Sequence, residues 1–202
     1  MERQDLIKSL RKQGFSEQIV RSFESVDRSE FVPEGFKAES YKDVALPIGG
    51  GQTISQPYTI AFMLSLLEIA GKKSQKILEV GSGSGYVLAL INEITKDSEI
   101  IGIERIKELV DRSKRVLIKN NNIKIIHDDG SKGLAEEAEK EKFDRILVSA
   151  ACKDIPQKLL KQLKIRGVLV ASVGNSIVSV KKFPDENKIR EFPGFVFVPM
   201  VE

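Results

Sequence analysis

Between residues 76 and 171, short apolar runs alternate with segments of helical periodicity, and this alternation restricts the fold more than any other feature of the chain. The runs at 76–80, 99–103, 123–126, 145–148 and 168–171 are rich in Ile, Leu and Val and too short for buried helices. Helical candidates lie between them at 86–94, 107–120, 134–141 and 157–163. Strands that alternate with helices join through right-handed crossovers, so the pattern predicts an α/β fold with a mostly parallel sheet covered by helices on both faces. Residues 177–183 and 195–198 are expected to finish the sheet as a C-terminal strand hairpin, with Pro184-Asp185-Glu186-Asn187 near its turn.

Upstream, apolar residues recur at helical spacing over 4–26 and break at Gly14-Phe15-Ser16, which predicts an N-terminal extension of two short helices. Residues 30–57 contain Pro33, Gly35, Pro47 and Gly49-Gly50-Gly51, and are expected to form a long ordered loop rather than a packed layer. A third helix is expected over 56–70, with Pro57 in its first turn and Ile60, Met63, Leu64 and Leu67 on one face.

The 202 residues suit one domain, 1–202, divided at 72/73 into the N-terminal helices with their loop and the sheet core. With 41% hydrophobic and 30% charged residues the composition is that of a globular chain. A net charge of +3 makes no case for a nucleic-acid or membrane partner, and no apolar run approaches a membrane span, so a soluble protein is expected. Cys152 is the single cysteine, which excludes an internal disulfide and a multi-cysteine zinc site and suits a cytoplasmic home. The single histidine, His127, disfavours a Ser-His-Asp hydrolase and a multi-histidine metal site; no metal is expected.

The run at 76–80 leads into Gly81-Ser82-Gly83-Ser84-Gly85 and then a helical segment. A glycine loop at the carboxyl end of a parallel strand is either a tight strand-to-helix turn or a ligand cradle. The dinucleotide fingerprint needs Gly or Ala where this chain has Tyr86, and the Gly-Lys-Ser/Thr of a phosphate loop is absent. Glu79, just before the loop, would repel a pyrophosphate and attract an ammonium or sulfonium, so S-adenosylmethionine fits better than a dinucleotide. Glu104 ends the next strand, where a carboxylate can take both ribose hydroxyls; it can equally be a solvated carboxylate at a helix start. Asp128-Asp129-Gly130 follows the third run, as an adenine contact or as an ordinary Asp-Gly turn.

The stretch Pro47-Ile48-Gly49-Gly50-Gly51-Gln52-Thr53-Ile54-Ser55-Gln56-Pro57-Tyr58 strongly resembles the P-I-G-x-G-Q-T-I-S-Q-P-Y of the protein-L-isoaspartate O-methyltransferases. The likeness extends from Glu30-Phe31-Val32-Pro33 through residues 77–86, Ile103-Glu104-Arg105, Asp129-Gly130 and Phe143-Asp144 to Phe197-Val198-Pro199. It implies a Rossmann-like S-adenosylmethionine-dependent methyltransferase fold. It further implies Ser55 as the active-site serine, Gln52, Thr53 and Ile54 as its substrate loop, and Glu79, Gly81, Gly83, Glu104, Asp129 and Gly130 as the cofactor site. By its position alone Ser55 could also cap the helix ahead of Pro57. Asp128, Ser149 and Arg166 depart from the residues most common in the family, as does the short segment between Val173 and Phe195.

The implied reaction takes a methyl group from S-adenosylmethionine, leaving S-adenosylhomocysteine, to the free α-carboxylate of isoaspartyl residues in damaged peptides and proteins, as the first step of repair. That carboxylate is ionised at neutral pH, with a reference pKa of roughly 3.3 to 3.9, so it needs no general base. Two other readings remain. One is methylation of a nucleic acid or small molecule, against which Ser149-Ala150-Ala151-Cys152 lacks both the Asn/Asp-Pro-Pro-aromatic run and a Pro-Cys nucleophile. The other is a cofactor-binding protein without catalysis, against which the intact Ser55 loop argues.

Overall fold

The computed structural model describes residues 2–71, 74–134 and 143–196. Two amphipathic helices open the chain, α1 (Arg3–Lys12) and α2 (Glu17–Ser25). Each buries one apolar stripe: Leu6, Ile7 and Leu10 on the first, Ile19, Val20 and Phe23 on the second.

Residues 30–57 are more structured than a loop. Two 3-10 turns (Arg28–Phe31 and Glu34–Glu39) lead into an antiparallel hairpin of β1 (Leu46–Gly49) and β2 (Gln52–Ile54). Leu46, Ile48 and Ile54 are buried in the core, so the hairpin is a packed element. Its strands are only four and three residues long, too short for their alternation to stand out among prolines and glycines. Helix α3 (Pro57–Leu66) follows, buried on nearly every side, and stops short of residue 70. Glu68 takes a left-handed φ of +54°, and its carbonyl accepts from the Arg145 guanidinium at 3.1 and 3.4 Å.

The main sheet contains β3 (Lys76–Val80), β4 (Glu99–Glu104), β5 (Ile123–His127), β6 (Phe143–Cys152), β7 (Leu163–Val173), β8 (Ser176–Lys181) and β9 (Lys188–Pro193), in the order β5-β4-β3-β6-β7-β8-β9. The first five are parallel to their neighbours, and β8 and β9 are added antiparallel. Helices α4 (Tyr86–Thr95), α5 (Lys107–Val116) and α6 (Gln157–Gln162) are the crossover helices among the described residues. The helix expected at 134–141 lies outside the described residues from 135 onward.

The central strands are buried on both faces. Ile77 and Ile100 join the core beneath α1 to α5, whereas Leu78, Val80, Ile101 and Ile103 join a second core that includes Phe143 and Leu159. Each fully buried aliphatic side chain of this kind contributes about 1.5 to 3 kcal/mol. Among the described residues the last strand is β9 at 188–193, with Pro184-Asp185-Glu186-Asn187 in the turn before it; of the strand expected at 195–198, residues 197 and 198 lie outside the described residues. Lys188, Ile189, Arg190 and Glu191 are all exposed, so this edge pairs through its backbone and carries no alternation to detect. Arg166 takes a left-handed φ of +65° inside β7, a conformation that favours glycine. Among the described residues no helix is long and apolar enough to cross a membrane.

Candidate active site

The neighbours of β3 are β4 on one side and β6 on the other, so chain connections diverge at its carboxyl end and open a crevice there. The glycine loop lines that crevice. The Gly81 and Ser82 N–H groups both donate to the Ile103 carbonyl at 2.9 and 3.1 Å, which bends the chain sharply out of the strand. Gly83 has φ +53°, and a Cβ there would stand 3.1 Å from the Ile48 Cδ1 on the β1–β2 hairpin. The hairpin therefore roofs the loop. Tyr86, where a dinucleotide site needs a small residue, is buried against Phe23 and Phe31 at ring separations of 6.1 and 5.3 Å.

Two buried carboxyls flank the loop. Glu79 accepts from the Ser149 hydroxyl through Oε1 at 2.7 Å, while its Oε2 is buried without a hydrogen-bond partner. Burial pushes its pKa up to about 8; the Ser149 hydroxyl opposes the shift, and nearby Glu104 adds to it. Glu104 is held in place by the backbone: Oε2 accepts from the Gly83 N–H and Oε1 from the Ile106 N–H, both at 2.8 Å. Each of its oxygens retains a lone pair for a ligand hydroxyl. Asp129 caps the 3-10 turn Gly130–Lys132, accepting from the Ser131 N–H and hydroxyl at 3.0 Å. A Cβ on Gly130 would meet the Val80 side chain at 2.5 Å, so glycine is a packing requirement there.

Ser55 stands between β2 and α3 on the far side of the same crevice. It does not cap the helix: the N-cap position is Gln56, without a side-chain cap, and the Tyr58 N–H is taken at 2.8 Å by Asp43. The Ser55 hydroxyl makes no hydrogen bond among the described residues. Its carbonyl, by contrast, accepts from Arg28 Nη1 at 2.9 Å, and Arg28 Nη2 donates to the Val44 carbonyl at 3.2 Å. Arg28 is fully buried, with its guanidinium 5.6 Å from the centre of the Tyr86 ring.

One cavity of about 600 Å³ brings all of these together. Ser55, Glu79, Gly81, Gly83, Glu104, Asp129, Gly130, Gln52, Thr53 and Ile54 all line it, although Ile54 is mainly a core residue. Ile48, Ser149 and Val196 join the lining without having been singled out as site residues from the sequence. Arg28 and Asp43 act from behind it; each is one charge among many in the sequence, and only the folded chain shows what it holds. Cys152 is buried and outside this lining, and burial pushes its thiol up to about 11, which removes it as a nucleophile candidate. His127 bonds the Arg105 carbonyl at 2.9 Å. Among the described residues no cluster of three or more His, Cys, Asp or Glu comes together to hold a metal ion.

Known proteins resemble this chain over nearly its whole length. Protein-L-isoaspartate O-methyltransferase 2 of Archaeoglobus fulgidus is 41% identical over 98% of this chain and 92% of its own length. The protein-L-isoaspartate O-methyltransferase of Fervidobacterium nodosum is 43% identical over 88% of each chain. A Plasmodium falciparum crystal structure assigned to the same activity, in complex with S-adenosyl-L-homocysteine, superposes with a TM-score of 0.83 at 27% identity, covering 100% of this chain and 99% of the other. The family model for protein-L-isoaspartate(D-aspartate) O-methyltransferase matches residues 1–202 from end to end. The chain therefore belongs to the protein-L-isoaspartate(D-aspartate) O-methyltransferase family.

Proposed function

We propose that this protein is an S-adenosylmethionine-dependent carboxyl O-methyltransferase that esterifies the free α-carboxylate of L-isoaspartyl residues, and that it does so in the cavity between the glycine loop and Ser55. The residues present fit the cofactor. Glu79 Oε2 is a buried acceptor lacking a donor, which a ligand ammonium would supply. Glu104 has acceptor capacity left for a ribose, and the cavity volume of about 600 Å³ suits a nucleoside-sized ligand. On this reading Glu79 and Glu104 hold the cofactor's charged and sugar ends, Gly81 and Gly83 let the backbone approach it, and Asp129 and Gly130 border its base. When bound, S-adenosylmethionine supplies an electrophilic methyl group on a sulfonium.

The acceptor side has a different task. The isoaspartyl α-carboxylate is already ionised at neutral pH, so the site needs alignment rather than a base, consistent with a cavity lined by no histidine. Ser55 donates its hydroxyl proton in a hydrogen bond to one carboxylate oxygen and leaves the other to attack; Gln52 and Thr53 border the peptide. Alignment of this kind can supply about 7 to 11 kcal/mol in favourable cases. The ester carbonyl can lose methanol where a carboxylate cannot lose oxide, so the following backbone nitrogen attacks it, expels methanol and closes a succinimide, which water reopens in part as normal aspartate.

The observation that carries the assignment is that an unengaged serine hydroxyl and an S-adenosylmethionine-type glycine loop with its two buried carboxyls line one cavity. Transfer of a labelled methyl group to an isoaspartyl peptide tests it, with the matched aspartyl peptide as control. The isoaspartyl peptide should be the far better acceptor, and equal methylation of the two would reject the repair assignment.

A further inference from the structure

Arg28 is the one feature of the acceptor side that the reaction described above does not use. Its guanidinium is fully buried, pairs with no carboxylate among the described residues, and leaves Nε without a partner. Burial lowers its pKa to about 10, so it remains a cation at neutral pH. Two backbone carbonyls, the Tyr86 ring and the more distant Asp43 offset the cost of burying this charge only in part, and an aliphatic residue in the same place would carry no such cost. The charge is placed directly behind Ser55. Nη1 donates to the Ser55 carbonyl at 2.9 Å and Nη2 to the Val44 carbonyl at 3.2 Å, so one planar group ties both ends of the β1–β2 hairpin segment.

The cavity has a charge balance of its own. Among the described residues Glu79, Glu104 and Asp129 line it against one cation, the exposed Arg105, so a carboxylate entering as the methyl acceptor meets more acidic groups than basic ones. Arg28 is the buried cation on the acceptor's side of that cavity. The Ser55–Gln56 peptide group lies between: in a trans peptide the carbonyl and the following N–H point to opposite sides, so a cation on the Ser55 oxygen orients the Gln56 N–H away from itself and strengthens it as a donor. Gln56 lines the cavity. Asp43 completes the arrangement by taking the Tyr58 N–H, which leaves the Ser55 hydroxyl out of helix capping.

We propose that Arg28 is the positioning residue of the acceptor site: it fixes the Ser55 backbone from behind, and its buried charge makes the site select an anionic acceptor. The proposal deepens the carboxyl methyltransferase reading and rests on it. Two substitutions separate the two parts. Arg28→Met keeps most of the volume and removes the charge; Arg28→Lys keeps the charge but offers one ammonium in place of a fork spanning two carbonyls.

The experiment uses the full chain saturated with S-adenosylhomocysteine and measures binding of a fluorescent isoaspartyl peptide and of the same peptide with its isoaspartyl α-carboxylate replaced by a carboxamide. Calorimetry of S-adenosylhomocysteine and methyl-transfer kinetics run in parallel. The wild-type protein should prefer the carboxylate peptide at least tenfold. Arg28→Met should lose most of that preference and raise KM at least tenfold, with cofactor affinity within a few-fold of wild type. Arg28→Lys should keep the preference yet lower kcat about tenfold, because Ser55 is less firmly placed. A folded Arg28→Met protein that still prefers the carboxylate tenfold overturns the charge role. If Arg28→Met does not fold, Arg28→Lys decides alone, and wild-type kcat in that variant overturns the proposal. Absence of methyl transfer to any isoaspartyl peptide by the wild-type protein would instead strike the functional reading itself, so the two failures are distinguishable.

Discussion

The two walls of the cavity are built in different ways. The wall formed by the ends of β3, β4 and β6 is set by register: Glu79 lies between Gly102 and Leu147 in adjacent strands, and Glu104 pairs with His127. Each of those residues is fixed by a ladder of backbone hydrogen bonds, and losing one rung leaves the others. The opposite wall, around Ser55, follows a three-residue strand and is held by a few side chains reaching across the fold, chiefly Arg28 and Asp43. The first wall is redundant and the second is tethered. Cofactor binding should therefore resist changes on the Ser55 side, and acceptor binding should be open to disruption at single, distant residues.

The largest effect should come from the point where the walls touch. Gly83→Val places a β-branched residue at φ +53° with its Cβ 3.1 Å from the Ile48 Cδ1, so the loop and the hairpin roof cannot both keep their positions. Calorimetry should show no measurable S-adenosylhomocysteine binding, with far-ultraviolet circular dichroism near wild type. An affinity close to wild type would mean that the loop is not the cofactor cradle.

A smaller, paired effect separates the walls. Ser55→Ala should leave the cofactor Kd within a few-fold and lower kcat/KM for an isoaspartyl peptide by about tenfold to a hundredfold, the scale of about 1.5 to 3 kcal/mol for a hydrogen bond to a charged group. Glu104→Gln should do the opposite, weakening the cofactor by a similar factor through loss of a charged acceptor. If Ser55→Ala weakened cofactor binding as much as Glu104→Gln does, the two walls would not be separate.

The smallest effect is a pH dependence confined to the sheet wall. Burial, with Glu104 nearby, raises the Glu79 carboxyl to about 8, so in the cofactor-free protein it is largely protonated at neutral pH. Holding an ammonium requires the carboxylate, so cofactor affinity should rise with pH up to about 8, by at most tenfold per unit, with a proton released on binding. The linkage has a second sign. A carboxyl raised from 4.5 to about 8 gives the folded, cofactor-free protein more bound protons than the unfolded chain, so its contribution to stability is complete below pH 4.5 and fades as pH rises toward 8. Titrations in buffers of different ionisation enthalpy would show the proton, and a flat affinity between pH 6 and 8 would remove Glu79 from the ammonium site.

The same division decides what could be seen in the sequence. The sheet wall was legible because it is periodic: Ile77, Leu78 and Val80 announce a strand, the glycines that follow announce a turn, and Glu79 and Glu104 stand at strand ends. The Ser55 wall has no period, and only the long likeness of residues 47–58 to a known family pointed to it. Even that likeness gave no sign of Arg28 or of Asp43, which replaces Ser55 as the group on the α3 amino terminus, because both act over long sequence separations. The hairpin at 46–54 and the edge strand β9 escaped for the simpler reason that very short strands, and a mostly exposed strand whose Ile189 and Phe192 stand three apart, carry no alternating pattern.

The number of strands after the parallel sheet has a practical consequence. Among the described residues two antiparallel strands follow, an even number that brings Pro193 back beside Ser176 and delivers Val196 to the cavity, while Lys181 and Lys188 face each other at the opposite end. Parity thus gives the molecule a working end and an idle end. A handle or reporter inserted at Asp185-Glu186 would hang from the idle end, about 20 Å from the cavity at roughly 3.3 Å per strand residue, whereas one fused just beyond Val196 would begin at its rim.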